Sequence, residues 1–188
     1  MKRILFSLMF VSLISAVFAK ADVSDKNARL IQAAKDGNLS AVQAALSDGA
    51  EINARDKSGV PALMWAANNG HTQVVKLLLE RRADVNVKKI DTGVTALMMA
   101  SHEGHTEVVK LLLDKGADVN VKDTDGVTAL WMASQKGHTE VVKLLLAQGA
   151  DVNVKATINN FEWTALKVAK RMGHTDIVRL LEKAGAKG

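Results

Sequence analysis

The chain has 188 residues, 48% of them apolar and 24% charged, which is an ordinary composition for one globular domain. Aromatic residues make up only 4% and there is a single proline, so the composition favours helices packed from leucine, valine and alanine. The formal net charge is +5, and the absence of cysteine excludes disulfides and thiolate metal sites.

The first 21 residues, MKRILFSLMFVSLISAVFAKA, differ from the rest of the chain. Two basic residues precede an uncharged run over 4–18, and the AKA at 19–21 has the small-residue spacing at which a signal peptidase cuts. The run is shorter than the ~20 residues that span a bilayer as a helix. We predict that residues 1–21 are a cleaved secretory signal peptide, cut after Ala21 or, alternatively, after Ala19. A buried core helix is the competing interpretation.

Export sets expectations for the mature chain, residues 22–188. It contains no second long apolar run, so we expect no transmembrane segment and a location in the periplasm or the secreted space. Without the three cations of the leader, the formal charge falls from +5 to +2, and we expect no nucleic-acid partner. A monomer is expected.

Five segments of the mature chain repeat one another. Self-similarity at steps of 33, 34, 33 and 36 residues is typical of stacked supersecondary units. We predict one domain over 22–188, with repeats at about 25–57, 58–90, 91–124, 125–157 and 158–188. The residues in register are Leu30, Leu63, Leu97, Leu130 and Leu166; Gly37, Gly70, Gly104, Gly137 and Gly173; and Asn53, Asn86, Asn120 and Asn153.

Each unit begins with a predicted short helix. Thr95, Thr128 and Thr164 lie where such a helix starts, because a threonine hydroxyl can accept from the free amides of the first turn. Pro61 takes this place in the second unit, where its missing N–H costs nothing. A glycine such as Gly104 ends the helix.

A second helix follows in each unit. TEVVKLLLDK, residues 106–115, is predicted to bury Val108, Leu111 and Leu112. Small residues recur where neighbouring first helices must approach closely; they are Ala66, Ala100, Ala133 and Ala169. Arg82 replaces the glycine that closes the other second helices, so we expect a less sharply formed helix end there. The connection VKATINNFEWTAL is three residues longer than its counterpart and lacks the turn glycine.

The phrases GVTALMMASHEGHTEVVKLLLDKGADVN and GVTALWMASQKGHTEVVKLLLAQGADVN resemble the ankyrin repeat, and the resemblance covers about residues 25–187. It implies an all-α solenoid of about five helix-turn-helix repeats joined by hairpin-like turns. The family usually has a histidine early in the first helix that bonds between repeats. Methionine, tryptophan or lysine replaces it here, so sulfur and indole contacts are expected instead. The residues concerned are Met64, Met98, Trp131 and Lys167.

The histidines do not indicate catalysis. Four of the five recur at one repeat position and are therefore predicted to be structural; they are His71, His105, His138 and His174. The fifth, His102, stands three residues before His105, but Gly104 separates the two and no further metal ligand is evident. We predict no catalytic residue, no metal and no cofactor, and expect that the protein is not an enzyme.

The resemblance implies that a partner binds the concave face, which is made by the turn tips and the first helices. A cation two residues after each repeated asparagine could form a basic ladder, although nearby aspartates weaken its field and a solvated edge is the alternative. Phe161 and Trp163 are the predicted aromatic anchors, unless they cover the core of the last unit. The ladder comprises Arg55, Lys88, Lys122 and Lys155, and the variable ends of the first helices add Asn68, Asn69, His102, Glu103, Gln135, Lys136 and Arg171.

These features predict a non-enzymatic protein-protein interaction module with an unidentified protein partner. Two alternatives stay open. One is a stress-related envelope factor that buffers oxidants through its methionines or stabilises an exported enzyme. The other is a weak polyanion binder along the basic ladder.

Overall fold

The computed structural model describes residues 22–187, so the predicted signal peptide at 1–21 lies outside the described residues. Within that range the chain forms ten helices and one small sheet. The helices are α1 (22–35), α2 (Leu39–Ser47), α3 (Ala62–Asn68), α4 (Thr72–Glu80), α5 (Ala96–Glu103), α6 (Thr106–Asp114), α7 (Ala129–Lys136), α8 (Thr139–Ala147), α9 (Ala165–Met172) and α10 (Thr175–Lys183). The strands are β1 (Ala156–Ile158) and β2 (Phe161–Trp163).

The helices stack in two layers. The first helices α3, α5, α7 and α9 pack on one another in order, and the second helices α2, α4, α6, α8 and α10 form the layer behind them. One apolar core runs between the layers from Leu30 to Leu181. The recurrent alanines are fully buried in the first layer, at Ala66, Ala100, Ala133 and Ala169. The predicted helical solenoid of about five units is therefore confirmed.

The predicted helix boundaries follow from local chemistry. The hydroxyl of Thr95 accepts from the amide of Met98 at 3.3 Å, and Thr128 and Thr164 cap α7 and α9 in the same way. Pro61 precedes α3 directly, although it makes no side-chain cap bond. Gly104 ends α5 in the left-handed region with φ 79°, where a residue without Cβ is favoured.

Two expectations about the second helices were wrong. In α6 the buried side chains are Val108, Val109 and Leu112, whereas Leu111 is half-buried, because the core-facing stripe is rotated towards Val109. The end of α4 is formed as sharply as the others. Arg82 adopts the glycine-like conformation itself, with φ 65°, and its amide donates to the carbonyl of Leu79 at 3.1 Å. The backbone bonds of the turn hold this residue in a region that disfavours a side chain.

The repeated histidines join adjacent units. Each is the residue before a second helix, yet its side chain does not cap that helix. Its Nε2–H instead donates to a carbonyl at the end of the preceding unit's first helix. The four bonds run from His71 to Lys35 O (2.9 Å), from His105 to Asn68 O (2.9 Å), from His138 to His102 O (2.9 Å) and from His174 to Gln135 O (3.0 Å). This ladder differs from the one that the family's usual histidine position would supply.

The glycine that ends each first helix makes room for the next unit's imidazole. A Cβ on Gly104 would lie 2.5 Å from His138 Cε1, which is far inside van der Waals contact. Gly37, Gly70 and Gly137 face the following histidine in the same way. These glycines therefore satisfy two constraints at once, the left-handed backbone and the close approach of a ring.

The repeated asparagines form a second ladder along the turns. Each side-chain carbonyl accepts from a backbone amide at the start of the following turn, at 2.8–3.0 Å. The pairs are Asn27 with Glu51, Asn53 with Asp84, Asn86 with Asp118, Asn120 with Asp151 and Asn153 with Lys187. The amide groups of Asn86 and Asn120 also donate to the glycine carbonyls Gly116 O and Gly149 O. The turns are thus fixed to one another by hydrogen bonds as well as by buried turn valines such as Val87, Val121 and Val152, which belong to the main core.

The long last connection forms a β-hairpin, which the sequence analysis did not predict. Ala156, Thr157 and Ile158 pair antiparallel with Trp163, Glu162 and Phe161, respectively. Asn159 and Asn160 make the two-residue turn, with φ 51° and 65°. Positive φ at both turn positions matches the right-handed twist of a hairpin, and asparagine tolerates it.

Gly104→Ala and Gly173→Ala form a matched pair that tests the histidine contact. Both glycines have positive φ, so either change should lower the free energy of unfolding by about 1 kcal/mol. No atom lies within 4 Å of a Cβ on Gly173, whereas Gly104 faces His138. We expect Gly104→Ala to cost about 1–3 kcal/mol more than Gly173→Ala in urea unfolding. Equal losses would contradict a packing role for the imidazole.

Candidate functional site

The candidate surface comprises the ends of the first helices and the turn tips. The backbone carbonyls at the ends of the first helices accept hydrogen bonds from the next unit's histidine, but most of the variable side chains there take no part in bonds between units. Glu103 and Lys136 are exposed, and the imidazole Nδ1 of His102 lies 2.7 Å from Glu103 Oε1. Asn69 is exposed but donates to the carbonyl of Lys35 at 2.9 Å, so it also ties two units together.

The basic ladder is only partly available to a partner. Arg55 Nη1 donates to the carbonyls of Gly59 and Lys88, both at 2.8 Å, and so connects two turns. Lys155 Nζ lies 2.8 Å from Glu162 Oε2. The hydrogen bond and charge of Lys155 lower the pKa of the Glu162 carboxyl. The other two cations of the basic ladder, Lys88 and Lys122, are exposed to solvent.

A polar network joins the first two units. Asp56 Oδ2 accepts from the indole Nε1–H of Trp65 at 2.9 Å and lies 3.4 Å from Lys35 Nζ. The ammonium of Lys35 also sits 4.2 Å from the centroid of the Trp65 ring. Burial alone would raise the pKa of Asp56, but hydrogen bonds from the Val60 amide, the indole and the Ser58 amide outweigh it and lower the pKa.

Asp123 occupies the corresponding turn of the third unit, where burial and hydrogen bonding have the opposite net effect on the carboxyl pKa. It also accepts from two backbone amides, those of Asp125 (3.0 Å) and Val127 (2.8 Å). Burial outweighs these bonds, and the charge of Asp125 adds to it, so the pKa of Asp123 is raised. The two aspartates share a turn geometry and differ in the tryptophan and lysine that only Asp56 has beside it.

The most distinctive feature of the candidate surface is an open groove of about 460 Å³ beside the β-hairpin, called here the hairpin groove. The hairpin covers one side and the helices α7 and α9 form the other. Four predicted partner-binding residues line it. They are Gln135, Phe161, Trp163 and Arg171, and the remaining lining residues are Trp131, Ile158, Asn159, Val168 and Met172.

The hairpin groove has an apolar floor and an exposed rim. Trp131, Val168 and Trp163 belong to a small cluster separate from the main core. Phe161 is 68% exposed and Met172 is 52% exposed. Trp163 therefore both covers the last unit and faces the groove, whereas Phe161 packs little and is available to a partner.

Two polar groups of the hairpin groove stand out. The guanidinium carbon of Arg171 lies 5.1 Å from the centroid of the Trp163 ring, which holds the cation at the rim. Trp131 is only 8% exposed, and its buried Nε1–H has no hydrogen-bond partner among residues 22–187. An indole N–H that is buried in a folded protein usually finds an acceptor.

Sequence reasoning identified the hairpin aromatics but missed two features. The predicted packing of Trp131 between units is confirmed, because it clusters with Val168 and Trp163 of the last unit, but its place in the floor of the hairpin groove was not predicted. The second feature that was missed is the β-hairpin. Its signal in the sequence was INNF, residues 158–161, in which two asparagines separate the paired strand residues. Reading it as a hairpin would have brought Ile158 and Phe161 to one edge above α7.

Within residues 22–187, no group of three or more histidine, aspartate or glutamate side chains could hold a metal ion. His105 uses its Nε2–H on a backbone carbonyl, and His102 contacts Glu103. None of the helices in this part of the chain has both the length and the apolar character needed to cross a membrane.

The geometry defines a class of protein: a solenoid of helix-turn-helix units, with recurrent inter-unit bonds and variable side chains at the ends of the first helices. Comparison with known families agrees. A model described as ankyrin repeats (3 copies) matches residues 30–123 and 116–187. The chain belongs to the ankyrin-repeat family, whose members are typically non-enzymatic protein-binding scaffolds.

Individual relatives are similar only over short segments. The chain is 44% identical to the mitochondrial disaggregase of Homo sapiens over 64 residues, which are 34% of this chain and 9% of that protein. It is 46% identical to osteoclast-stimulating factor 1 of Monopterus albus over 50 residues, 27% of this chain and 23% of that protein. The chain thus spans at most about a quarter of the length of these relatives.

Asp56→Asn and Asp123→Asn should differ in their effect on the free energy of unfolding at pH 7. The lowered pKa of Asp56 contributes stability that is present above about pH 4 and lost as the pH falls through the folded-state pKa. Asp56→Asn should therefore cost about 1 kcal/mol at pH 7 and much less at pH 3. The raised pKa of Asp123 works against the ionised folded state, so Asp123→Asn should be neutral or stabilising at pH 7. Thermal melts of both variants at the two pH values would contradict this account if Asp56→Asn lost the same stability at each.

Proposed function

We propose that this protein is a non-enzymatic binding module of the periplasm or the secreted space that holds a protein partner on its concave face. Family membership supports protein binding. The location is proposed from the sequence of residues 1–21, with its basic start, uncharged run and AKA ending. The partner would contact the ends of the first helices, the turn tips and the hairpin groove.

The observation that carries this proposal is where the non-repeated side chains lie. Histidine, glycine and asparagine recur in every internal unit and hold neighbouring units together. The histidine and asparagine side chains form hydrogen bonds between units, and the glycine packs against the histidine ring. The side chains that change from unit to unit lie at the ends of the first helices, at the ends of the second helices and in the hairpin. Because the scaffold does not need them, they are free to determine what the protein recognises.

The two alternatives have less support. For oxidant buffering, methionine sulfur must be reachable, but Met64 and Met98 are buried, Met99 and Met132 are partly buried, and Met172 alone among the described methionines is exposed. For polyanion binding, the ladder must present its cations, but Arg55 and Lys155 are engaged within the protein. A protein partner needs neither condition.

On the second helices, charges pair locally. Lys143 Nζ lies 2.6 Å from Glu140 Oε1, and Arg179 Nη1 lies 3.2 Å from Asp176 Oδ1. These pairs are exposed and one turn apart, which is ordinary for a solvated helix face. Removing their charges should therefore leave binding intact, which makes this face the control surface.

We expect capture of a partner to depend on the concave face alone. The tagged full-length protein, purified from the envelope and secreted fractions of cells that make it, would be compared with three double variants by quantitative mass spectrometry. Glu103→Ala with Lys136→Ala, and Phe161→Ala with Trp163→Ala, should each reduce recovery of the same protein partner. Glu140→Gln with Asp176→Asn should not.

The contrary pattern, loss of the partner only in the second-helix variant, would place the binding face on the opposite side of the stack. Thermal melts must show that all three variants remain folded. The intact mass of the same preparation tests the location: a chain beginning at Lys20 or Asp22 is expected, whereas a soluble cytoplasmic protein that retains Met1 would refute export.

A further inference from the structure

We propose that the hairpin groove binds an extended segment of the partner that carries apolar side chains next to a carboxylate. This inference rests on the proposed protein-binding function and adds the chemistry of the bound segment. Three observations carry it: exposed apolar side chains, unpaired cations on α9, and the buried indole N–H of Trp131.

The first observation is exposed apolar surface. Among residues 22–187, four large hydrophobic side chains are exposed, namely Leu39, Ile90, Phe161 and Met172. Two of them, Phe161 and Met172, line the hairpin groove. They continue the apolar floor of Trp131, Ile158 and Val168 to the rim. Apolar side chains of an occupant would bury this surface, and aromatic residues at the centre of such a patch contribute strongly to binding.

The second observation is charge. α9, ALKVAKRM, carries three cations and no acid. Lys170 is paired with Glu182, and the nearby acid of the hairpin, Glu162, is bonded to Lys155. Lys167 and Arg171 form no ion pair with any residue in the part of the chain that the structure describes. A carboxylate of the occupant would complement them, and a guanidinium can bind it through two parallel hydrogen bonds.

The position of Arg171 also decides against a cationic occupant. Its guanidinium lies 5.1 Å from the centroid of Trp163 and so already occupies a neighbourhood where a ligand cation would stack on the ring. A lysine-rich or arginine-rich segment would meet like charge at the rim. The occupant that fits is therefore acidic as well as apolar.

The third observation is the N–H of Trp131. The ring lines the hairpin groove, and its Nε1–H is buried with no acceptor among the described residues. An extended segment presents backbone carbonyls along its length, and one of them could accept this hydrogen. Access requires a small outward shift of the hairpin, which packs over Trp131 through Ile158 and Trp163. A peptide therefore satisfies a donor that the fold leaves unpaired.

The test uses the intact chain and a displayed library of random dodecapeptides. Enriched peptides should combine aromatic or aliphatic residues with aspartate or glutamate. Fluorescence anisotropy with the most enriched peptide should show that Phe161→Ala and Arg171→Glu each weaken binding by about tenfold or more. Arg179→Glu is the matched control, because it makes the same charge change on α10, and it should leave affinity within about twofold.

Trp131→Phe separates ligand binding from structure. It keeps an aromatic floor and removes the unpaired donor, so it should raise the melting temperature while weakening peptide binding by about tenfold. A variant that merely damaged the fold would lower both quantities. A Trp131→Phe protein that binds the peptide as tightly as the wild type would contradict the assigned carbonyl contact.

Other outcomes would overturn the proposal. Enrichment of basic peptides, or binding that is unchanged in both Phe161→Ala and Arg171→Glu, excludes an acidic apolar segment in the hairpin groove. Binding of fluorescein-labelled oligothymidylate in preference to the peptide would assign the aromatic surface to base stacking instead. Peptides that are lost only in the Glu103→Ala, Lys136→Ala variant would preserve the proposed function and refute this site. If neither peptides nor a protein partner bind any surface, both proposals fail.

Discussion

The contact between a histidine of one unit and the glycine of the preceding unit constrains the whole stack. The imidazole fits where a Cβ would collide, and its Nε2–H satisfies a carbonyl at the end of a first helix. Helix ends leave several carbonyls without intrahelical partners, so this bond meets a need that every unit has. Because one unit supplies the donor and the other the acceptor, neither is complete alone. Stability therefore lies largely between the units.

A division of labour follows from this arrangement. The side chains that hold the stack must repeat, since each boundary has the same geometry. The side chains that recognise a partner need not repeat and must remain accessible. The hairpin groove contains several non-repeated, accessible side chains and is the partner surface that we propose, with Trp131 in place of a buried methionine and an inserted hairpin that brings Phe161 to the surface.

The sequence predicted what repetition and local chemistry determine. Periodic leucines, threonine caps and glycine helix ends each indicated a feature that the structure contains, and the structural bonds of His71 and its equivalents agree with their register in the repeats. Prediction from the sequence failed where a single residue departs from the repeat pattern. Arg82 keeps the turn because its backbone bonds outweigh the cost of positive φ. The segment INNF is a local signal for the hairpin, but the groove depends on contacts between α7 and this distant connection, which no local pattern encodes.

Hydrogen exchange in a His138→Ala variant tests most directly whether stability lies between units. His102→Ala is the control, because it removes a half-buried side chain that contacts the adjacent Glu103 and keeps the backbone carbonyl that accepts the bond from His138. We expect His138→Ala to speed exchange of backbone amides on both sides of the boundary, in α5 and α6 as well as α7 and α8. His102→Ala should leave these amides protected. Faster exchange confined to residues beside position 138, or equal effects of the two variants, would contradict the account.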